Sequence, residues 1–297
     1  MNIRIIPRLD IKGANLVKGV QLEGLRVLGK PEDFARHYYE NGADELLFQD
    51  IVASLYQRNS LLHIVERTAR EISIPLTVGG GLRSLNDIQS ALRSGADKVA
   101  LNTAAIKRPE LIREASLRFG SSSIVVSIEA ILRPNGNWEC FTDNGRTPTG
   151  VDACQWAEQA AELGAGEIIL TSVNNEGTGK GFDLALTRKI SENVSIPVIA
   201  CGGAGSPQHI WQVIEEGLAD AVSVASILHY PIAKALQQDL ESFTEGNVDF
   251  LRNLTLPRHM AYTSLPELKH FLSEHGYEGR DVLAPASQET DCVCKAS

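Results

Sequence analysis

Two carboxylate side chains stand where buried strands are predicted to end. Asp10 follows the apolar run IRIIPRL and Glu129 follows SIVVSI, at corresponding places in two similar halves of the chain. A carboxylate is costly to bury unless it has a partner or a chemical task. Facing each other across one cavity, the two groups could work as a general acid and base. We therefore predict a catalytic pair; the structural alternative for Asp10 is an ion pair with Arg8, Lys12 or Lys18.

Two glycine-rich turns predict phosphate sites. TVGGG (77–81) and ACGGA (200–204) follow predicted strands at matching positions of the two halves. Small or polar residues follow the next strand in each half: Asn102, Thr103, Ala225 and Ser226. Glycine lets the backbone approach an oxyanion closely, and residues of this kind leave N–H and hydroxyl groups free to donate. Because the pattern occurs twice, we predict one elongated bis-phosphate substrate; the alternative is that each glycine pair only makes a tight turn.

Four charged residues come at the starts of predicted strands: Arg4, Glu45, Lys98 and Glu167. Charges inside the closed end of a barrel need one another as partners, so from the residues alone we interpret this set as a structural salt-bridged layer. The chain contains no G-x-S-x-G and no H-E-x-x-H motif, and its histidines are scattered. We therefore expect no hydrolase-type nucleophile, no metal and no cofactor.

The elements that must position these residues alternate between strand and helix. Short apolar runs predict eight buried parallel strands at 3–9, 45–50, 74–78, 98–101, 123–129, 167–172, 196–200 and 221–225. Helices are predicted between them, for example at 31–42, 84–95 and 206–217, where Pro or Ser marks the start. Eight such units predict a single (β/α)₈ TIM barrel, with an open doubly wound sheet as the alternative.

An internal repeat favours the barrel. The interval from Gly42 to Gly95 equals that from Gly164 to Gly217. DELLFQD, TVGGG and GADKVALNTAAI in the first half correspond to GEIILTS, ACGGA and LADAVSVASILH in the second. Two similar halves of four strands close naturally into one barrel with a two-fold half-barrel repeat, whereas an open sheet has no reason to show it.

Composition excludes several functions. The chain has 297 residues and a net charge of −9, which argues against a general nucleic-acid binder. We find neither an apolar run long enough to span a membrane nor a signal peptide, and five widely spread cysteines do not form a disulfide framework. A cytoplasmic protein is expected. Cys292 and Cys294 form a C-x-C in a polar tail, which is a weak signal for a soft metal.

Several ordered segments together resemble the cyclase subunits of imidazole glycerol phosphate synthases. They are RIIPRLDIKGANLVKGV, DELLFQDIVAS, PLTVGGGLRS, GADKVALNTAAI, GAGEIILTSVNNEGT, PVIACGGAG, VASILHY and, after a gap, SLPELKHFLSEHGY. The resemblance implies an ammonia-dependent lyase/cyclase of histidine biosynthesis. Its substrate is a bis-phosphorylated ribulosyl nucleotide, and its products are imidazole glycerol phosphate and aminoimidazole carboxamide ribotide. A separate glutaminase subunit in a heterodimer is also implied, because this chain has no glutaminase triad.

The resemblance also implies roles for individual residues. Asp10 matches a catalytic acid/base, and Lys18 and Asp50 match positions near the substrate. The residues matching the two phosphate sites are Gly81, Asn102 and Thr103 for one, and Gly177, Gly203, Ala225 and Ser226 for the other. The set at the strand starts, Arg4, Glu45, Lys98 and Glu167, matches a gate that admits ammonia to the barrel axis. Asp97 matches a position at the face that docks the glutaminase.

The chain departs from the family at its active centre. Glu129 and Glu176 stand where the family has aspartates, and Arg8 replaces a small residue, usually cysteine. Segment 232–263 has no family counterpart. We predict one barrel domain over 1–283, with an insertion at about 232–263 and a final helix at about 264–276, and a disordered polar tail over 284–297.

Three functions remain open at this stage. Because of the departures from the family pattern, one alternative is an enzyme on the same scaffold that delivers ammonia to a sugar in surface-polysaccharide biosynthesis. A non-enzymatic interpretation is a barrel that only docks and activates a glutaminase. The retained Asp10 and both phosphate motifs count against that interpretation, and the cyclase leads.

Overall fold

Eight parallel strands close into a barrel in the computed structural model, which describes residues 2–53, 61–236, 243, 246–253 and 255–280. The strands of these residues are β1 (Arg4–Lys12), β2 (Asn15–Val20), β3 (Glu23–Gly29), β4 (Leu46–Asp50), β5 (Leu76–Gly79), β6 (Lys98–Leu101), β7 (Ile124–Leu132), β8 (Trp138–Thr142), β9 (Thr147–Asp152), β10 (Glu167–Ser172), β11 (Val198–Cys201) and β12 (Ala221–Val224). Parallel pairing runs β1–β4–β5–β6–β7–β10–β11–β12 and returns to β1. All eight predicted strands are present. The predicted TIM barrel is therefore confirmed, and the open sheet is wrong.

Helices cover the outside of the barrel. Within the described ranges they are α1 (Pro31–Glu40), α2 (Leu62–Ala69), α3 (Leu85–Arg93), α4 (Thr103–Lys107), α5 (Glu110–Phe119), α6 (Ala153–Glu162), α7 (Leu184–Asn193), α8 (Pro207–Glu215), α9 (Ser226–Ala235), α10 (Asp249–Asn253) and α11 (Leu265–Glu274). The predicted start signals are present, because Pro31 begins α1 and the hydroxyls of Ser84 and Ser206 cap α3 and α8. The three helices predicted explicitly are α1, α3 and α8, each ending two residues early.

An antiparallel hairpin rises from the mouth of the barrel in each half, β2–β3 in the first half and β8–β9 in the second. β1 continues beyond the barrel to pair with β2, and β7 continues to pair with β8. Neither hairpin was predicted from the sequence. For β8–β9 a signal existed, since Asn144-Gly145 is a typical hairpin turn, with φ of 62° and 72°. For β2–β3 none did, because its turn places Gln21 and Leu22 at positive φ, which these residue types rarely adopt.

The core has two parts because strand side chains alternate between the two faces of the sheet. The outward faces pack against the helices in one large apolar cluster. Inside the barrel lies a smaller cluster, which consists of Ile6, Leu47, Ala100, Val125, Ile169, Ile199, Cys201 and Ala221. This cluster fills the barrel axis between the charged strand starts and the mouth.

The segment predicted as an insertion begins within α9. Its described part includes α10, which packs beside the β2–β3 hairpin: the amide of Val27 donates to the carbonyl of Asn247 at 2.8 Å, and the rings of Phe250 and Tyr230 lie 5.0 Å apart. The final helix is α11, within the predicted 264–276. The tail 284–297, with its C-x-C pair, lies outside the described residues, and the division into domain and tail remains a prediction. Among the described helices, we find none with the length and apolar composition needed to cross a bilayer.

Candidate active site

A cavity of about 440 Å³ opens at the carboxyl-terminal ends of β4 to β7. Predicted site residues that line it are Asp50, Gly81, Asn102, Thr103 and Glu129. Three cations, Arg83, Lys107 and Arg108, and Asn144 of the β8–β9 turn complete much of its wall. The carboxyl-terminal face is where TIM barrels carry their sites. The first predicted phosphate motif and Glu129 therefore share one cavity.

A second, smaller pocket lies on the opposite side of the mouth, between β11 and β12. Predicted residues that line it are Glu176, Gly177, Gly203, Ala225 and Ser226. Its volume of about 20 Å³ is close to that of a single water site. The strands of the two pockets, β5 and β6 against β11 and β12, are diametrically opposed in the barrel order. The two-fold repeat of the sequence thus becomes two facing pockets of unequal size.

The glycine turns are also required for packing. A Cβ at Gly80, whose φ is 98°, would come within 2.2 Å of the Asp50 carbonyl oxygen. A Cβ at Gly203 (φ 115°) would come within 2.0 Å of the Gly181 carbonyl oxygen. The tight-turn role offered as the alternative is therefore real at both positions. This packing role is compatible with the predicted phosphate sites, because Gly80 lines the larger cavity and Gly203 lines the smaller pocket.

Asp10 is buried and ion-paired. Its Oδ1 lies 2.7 Å from Nε of Arg8, and its Oδ2 lies 3.3 Å from Nζ of Lys18. Two of the three structural partners foreseen from the sequence are therefore present. Burial alone would raise the pKa of Asp10, but the charges of Arg8 and Lys18 lower it below its ordinary value. Asp10 is consequently an anion at neutral pH.

Lys18 links β1 to the loop that follows β10. It lies on β2, is 1% exposed, and forms ion pairs with both Asp10 and Glu176. Burial disfavours its charge, but the facing carboxylates raise its pKa well above the ordinary value. Arg8, Lys18, Asp10 and Glu176 form a buried cluster of two cations and two anions, the mouth cluster. Each charge has a partner, which buried charges require.

Glu129 has a different environment from Asp10. It is 5% exposed, and its Oε2 accepts a 2.7 Å hydrogen bond from the amide of Gly145. Burial raises the pKa of Glu129 to about 7, although the charge of Arg8 and the Gly145 hydrogen bond act against that rise. Near neutral pH this carboxyl is therefore partly protonated and partly ionised, which suits a group that transfers protons.

Asp50, also predicted near the substrate, is 3% exposed. Its Oδ1 accepts from the amides of Val52 and Ala53, at 3.0 and 2.9 Å. These bonds fix the chain as it leaves β4 at the floor of the larger cavity.

A buried histidine fastens β1 behind the mouth cluster. His229 on α9 places Nε2 2.7 Å from the carbonyl oxygen of Arg8 and Nδ1 2.5 Å from the hydroxyl of Tyr38. A carbonyl can only accept, so Nε2 carries the proton and Nδ1 accepts from Tyr38. Burial lowers the pKa of His229 to about 4, and the ring is neutral at physiological pH. His229 was not singled out from the sequence.

The four charged residues at the strand starts form a closed ring. Arg4 contacts Glu45 at 2.9 Å and Glu167 at 3.0 Å, and Lys98 contacts the same carboxylates at 2.9 and 3.1 Å. The salt-bridged layer predicted from the residues is therefore present at the amino-terminal end of the barrel. Thr77 donates a further 2.6 Å hydrogen bond to Glu45.

Asp97 is exposed at that same end, beside Lys98. Its carboxylate accepts a 2.8 Å hydrogen bond from the amide of Leu76, at the start of β5. Asp44 and Asp220 make equivalent bonds to Ile5 and Val198 at the starts of β1 and β11. This contact explains an aspartate here structurally, and a docking role for Asp97 remains a prediction.

Further residues of the site were missed from the sequence. Ser127 and Lys107 line the larger cavity, and Thr171 and Cys201 contact Arg8 inside the barrel. Ser127 and Thr171 had a usable signal: Ser127 lies two residues before Glu129 and Thr171 lies four residues after Glu167, so on alternating strands each shares the face of a predicted site residue. Lys107 had none.

Comparison with known proteins agrees with this architecture. The model of a family described as "Histidine biosynthesis protein" matches residues 4–234, a span that contains all eight barrel strands and both pockets. The protein named imidazole glycerol phosphate synthase subunit HisF of Legionella pneumophila is 59% identical over 204 residues, which cover 69% of this chain and 96% of that protein. The family match ends inside α9, close to the start of the segment predicted to have no family counterpart.

Proposed function

Because the chain belongs to the histidine biosynthesis protein family and is an enzyme of the HisF type, we propose that it is an ammonia-dependent cyclase/lyase. Its substrate is a bis-phosphorylated ribulosyl nucleotide. Its products are imidazole glycerol phosphate and aminoimidazole carboxamide ribotide. The proposal places the chain in the cytoplasm as one subunit of a complex.

The observation that carries this proposal is the pair of glycine-lined pockets facing each other across one mouth. The larger holds Gly81, Asn102 and Thr103, and the smaller holds Gly203 and Ser226 beside the start of α9. We assign one phosphate of the substrate to each pocket, with Gly177 and Ala225 completing the second. The smaller pocket must widen when a phosphate enters, which movement of the loop after β10 would allow.

Two carboxylates at the barrel mouth supply the chemistry, Glu129 from the wall of the larger cavity and Asp10 from the buried mouth cluster. We assign proton transfer to Asp10 and Glu129, which differ in charge at neutral pH because, in the part of the chain that the structure describes, cations pair directly with Asp10 and not with Glu129. Lys18 and Asp50 orient the substrate, and Glu176 holds Lys18 in place. Two carboxyls whose environments push their pKa values apart are suited to act as acid and base in one reaction.

We assign the supply of ammonia to a separate glutaminase docked at the amino-terminal end of the barrel. Arg4, Glu45, Lys98 and Glu167 close the axis at that end, and ammonia entering there must pass this ring. Asp97, exposed beside the ring, is assigned to the docking face. The name of the Legionella relative, a synthase subunit, supports an assembly of more than one chain.

A turnover assay tests the proposal. The purified chain is mixed with an ammonium salt and the ribulosyl nucleotide, and both products are followed chromatographically. We expect turnover by the wild-type chain and its loss in Asp10→Asn. If a folded wild-type chain gives no turnover under these conditions, the cyclase proposal is wrong. Co-purification with a glutaminase tests the partner separately, and repeated failure under gentle conditions would count against it.

A second candidate is favoured by one specific observation. Arg8, Glu129 and Glu176, which depart from the family pattern, all lie at the mouth where the acceptor must bind. An enzyme that delivers ammonia to a sugar of surface-polysaccharide biosynthesis would need a changed acceptor site of this kind. Ammonia-dependent consumption of a nucleotide sugar, with no turnover of the ribulosyl nucleotide, would favour it.

A further inference from the structure

We propose that Arg8 is a positioning residue for the reaction proposed above, on which this inference rests. Its guanidinium holds Asp10 as the fixed anion of the site and leaves Glu129 as the carboxyl that carries the exchangeable proton. Neither pocket is lined by Arg8, so the residue acts through its neighbours.

Arg8 spans the barrel interior. Side chains two apart on a strand share a face, so Arg8 and Asp10 of β1 both point inward, above Ile6. Nε of Arg8 donates to Asp10 at 2.7 Å. Nη1 donates at 3.3 Å to Oγ1 of Thr171 on β10 and at 3.3 Å to Sγ of Cys201 on β11. Since β12 and β11 separate β1 from β10, the guanidinium reaches across the barrel from one wall toward the other.

The guanidinium of Arg8 contacts β10, and β10 pairs with β7, the strand that carries Glu129. Thr171 is the register partner of Glu129 in the pairing of β10 with β7. One cation therefore stands between the two carboxylates, but its contacts with them are unequal. Asp10 receives a direct ion pair, whereas Glu129 receives the charge of Arg8 through space and its hydrogen bond from Gly145.

The charges that face the two carboxyls differ. Besides the groups in direct contact with the pair, the ionisable side chains of Asp50, Arg83, Lys107, Arg108 and Asp143 line the larger cavity together with Glu129. Arg8 and Lys18 face Asp10, and Lys18 is shared with Glu176. Glu129 faces the charges of Arg8 and Asp10, and Asn102 and Gly145 donate hydrogen bonds to it. The result is a lowered pKa for Asp10 and a pKa of about 7 for Glu129, which burial raises most strongly. Of the two carboxyls, Glu129 is thus the one that exchanges a proton near neutral pH, where it is partly protonated and Asp10 is ionised.

The backbone at Arg8 is anchored independently of pH in the physiological range. Its carbonyl accepts from the neutral ring of His229, which Tyr38 fixes from α1. The Arg8 side chain therefore projects from a fixed point of the backbone toward Asp10.

Infrared spectroscopy of the whole chain without substrate tests this charge division, in which Asp10 is ionised and Glu129 is the carboxyl that exchanges a proton. Carboxyl bands are followed as the pH is changed, and Asp10→Asn and Glu129→Gln assign the two bands. In the wild type we expect Glu129 to titrate near neutrality and Asp10 to stay ionised well below its ordinary range. In Arg8→Met we expect the Asp10 midpoint to rise by roughly one to three pH units, because a direct cationic partner is lost. The Glu129 midpoint should rise as well. Arg36→Met, which removes an exposed arginine paired with Glu71, is the matched control and should move neither band.

Arg8→Lys keeps the test valid if Arg8→Met does not fold. It retains the charge beside Asp10 but lacks the reach to Thr171. We expect the Asp10 band to stay in place while the Glu129 midpoint rises and kcat falls about a hundredfold with little change in KM. Unchanged midpoints for both carboxyls in the folded Arg8 variants would overturn the inference. Shifted midpoints together with a wild-type chain that does not turn over the ribulosyl nucleotide would support the charge division and overturn the proposed function.

Discussion

The backbone amide of Gly145 donates a 2.7 Å hydrogen bond to Oε2 of Glu129, across the mouth of the larger cavity. Gly145 lies in the β8–β9 turn, and in the same turn the amide of Asp143 donates to the hydroxyl of Thr103 at 3.3 Å. The turn also contacts the other hairpin, since Asn144 donates to the carbonyl of Leu22 at 3.3 Å. A hairpin missed from the sequence thus positions both the proposed acid and a proposed phosphate ligand.

This contact makes Glu129→Asp a sharp test of side-chain length. Aspartate is one methylene shorter, so its carboxyl withdraws from the Gly145 amide and from the position it holds in the cavity. A misplacement of about 1 Å can cost a catalytic group roughly a hundredfold in rate, and we expect a loss of that order in kcat. Steady-state assays of the wild type and Glu129→Asp measure it, and a gain in cyclase turnover would contradict the expectation.

The raised pKa of Glu129 predicts a pH-dependent cost to stability. Its ordinary value of 4.5 rises to about 7 on folding, so the folded state binds more protons than the unfolded state between these values. The free energy of unfolding therefore falls as pH rises through this window, by about 3 kcal/mol in all. Glu129→Gln keeps an oxygen acceptor for Gly145 but does not titrate. Urea denaturation at several pH values should show the wild type losing stability relative to Glu129→Gln up to about pH 7, and parallel curves would refute the prediction.

Removing Lys18 should be costly because it neutralises two buried carboxylates. Lys18→Met leaves Glu176 without its ion pair and Asp10 with Arg8 alone. Breaking a buried ion pair from one side costs about 3–5 kcal/mol, and we expect a fall of that size in the free energy of unfolding. The double variant Lys18→Met/Glu176→Gln should recover part of it, since the unpaired charge is gone. Denaturant titrations compare the three proteins, and equal stabilities would rule out a paired role for Lys18.

The ring at the amino-terminal end gives a prediction about ammonia supply. Among the described residues, Lys98→Met leaves Arg4 as the one cation paired with Glu45 and Glu167 and opens the closed arrangement. With a glutaminase partner, we expect a larger fall in glutamine-dependent than in ammonia-dependent turnover, because ring and docking face adjoin each other. The ratio of the two rates is the measurement. Arg188→Gln, which alters an exposed i,i+4 pair on α7, is the control and should leave the ratio unchanged.

The Tyr38–His229 contact predicts a purely structural effect. Tyr38→Phe removes the hydroxyl that donates to Nδ1 and leaves a buried acceptor unpaired. The expected loss is about 1–3 kcal/mol in the free energy of unfolding. Thermal or denaturant unfolding measures it. Because the His229 ring still donates to the Arg8 carbonyl, kcat should change little although the protein is less stable. A large fall in kcat with unchanged stability would instead assign Tyr38 a role in the chemistry.

Local sequence determined much of this protein. The eight barrel strands and the caps Ser84 and Ser206 follow from patterns within short stretches, and a buried strand or a capped helix needs little more information than that. The two-fold repeat is readable from the sequence as well, by comparing one half of the chain with the other. The ring of Arg4, Glu45, Lys98 and Glu167 was also readable, because charges inside a closed barrel end must pair.

Only the tertiary structure decided the protonation states of the two carboxyl groups. Asp10 and Glu129 occupy equivalent places in the repeat and look alike in the sequence. In the fold, Asp10 lies against Arg8 and against Lys18 from β2, whereas Glu129 meets the Gly145 amide of a hairpin turn. Those partners come from different segments, and the energy of a buried charge depends on the atoms within a few ångströms of it rather than on its neighbours in the chain. The repeat therefore specifies where the pair stands, and long-range contacts specify which member holds the proton.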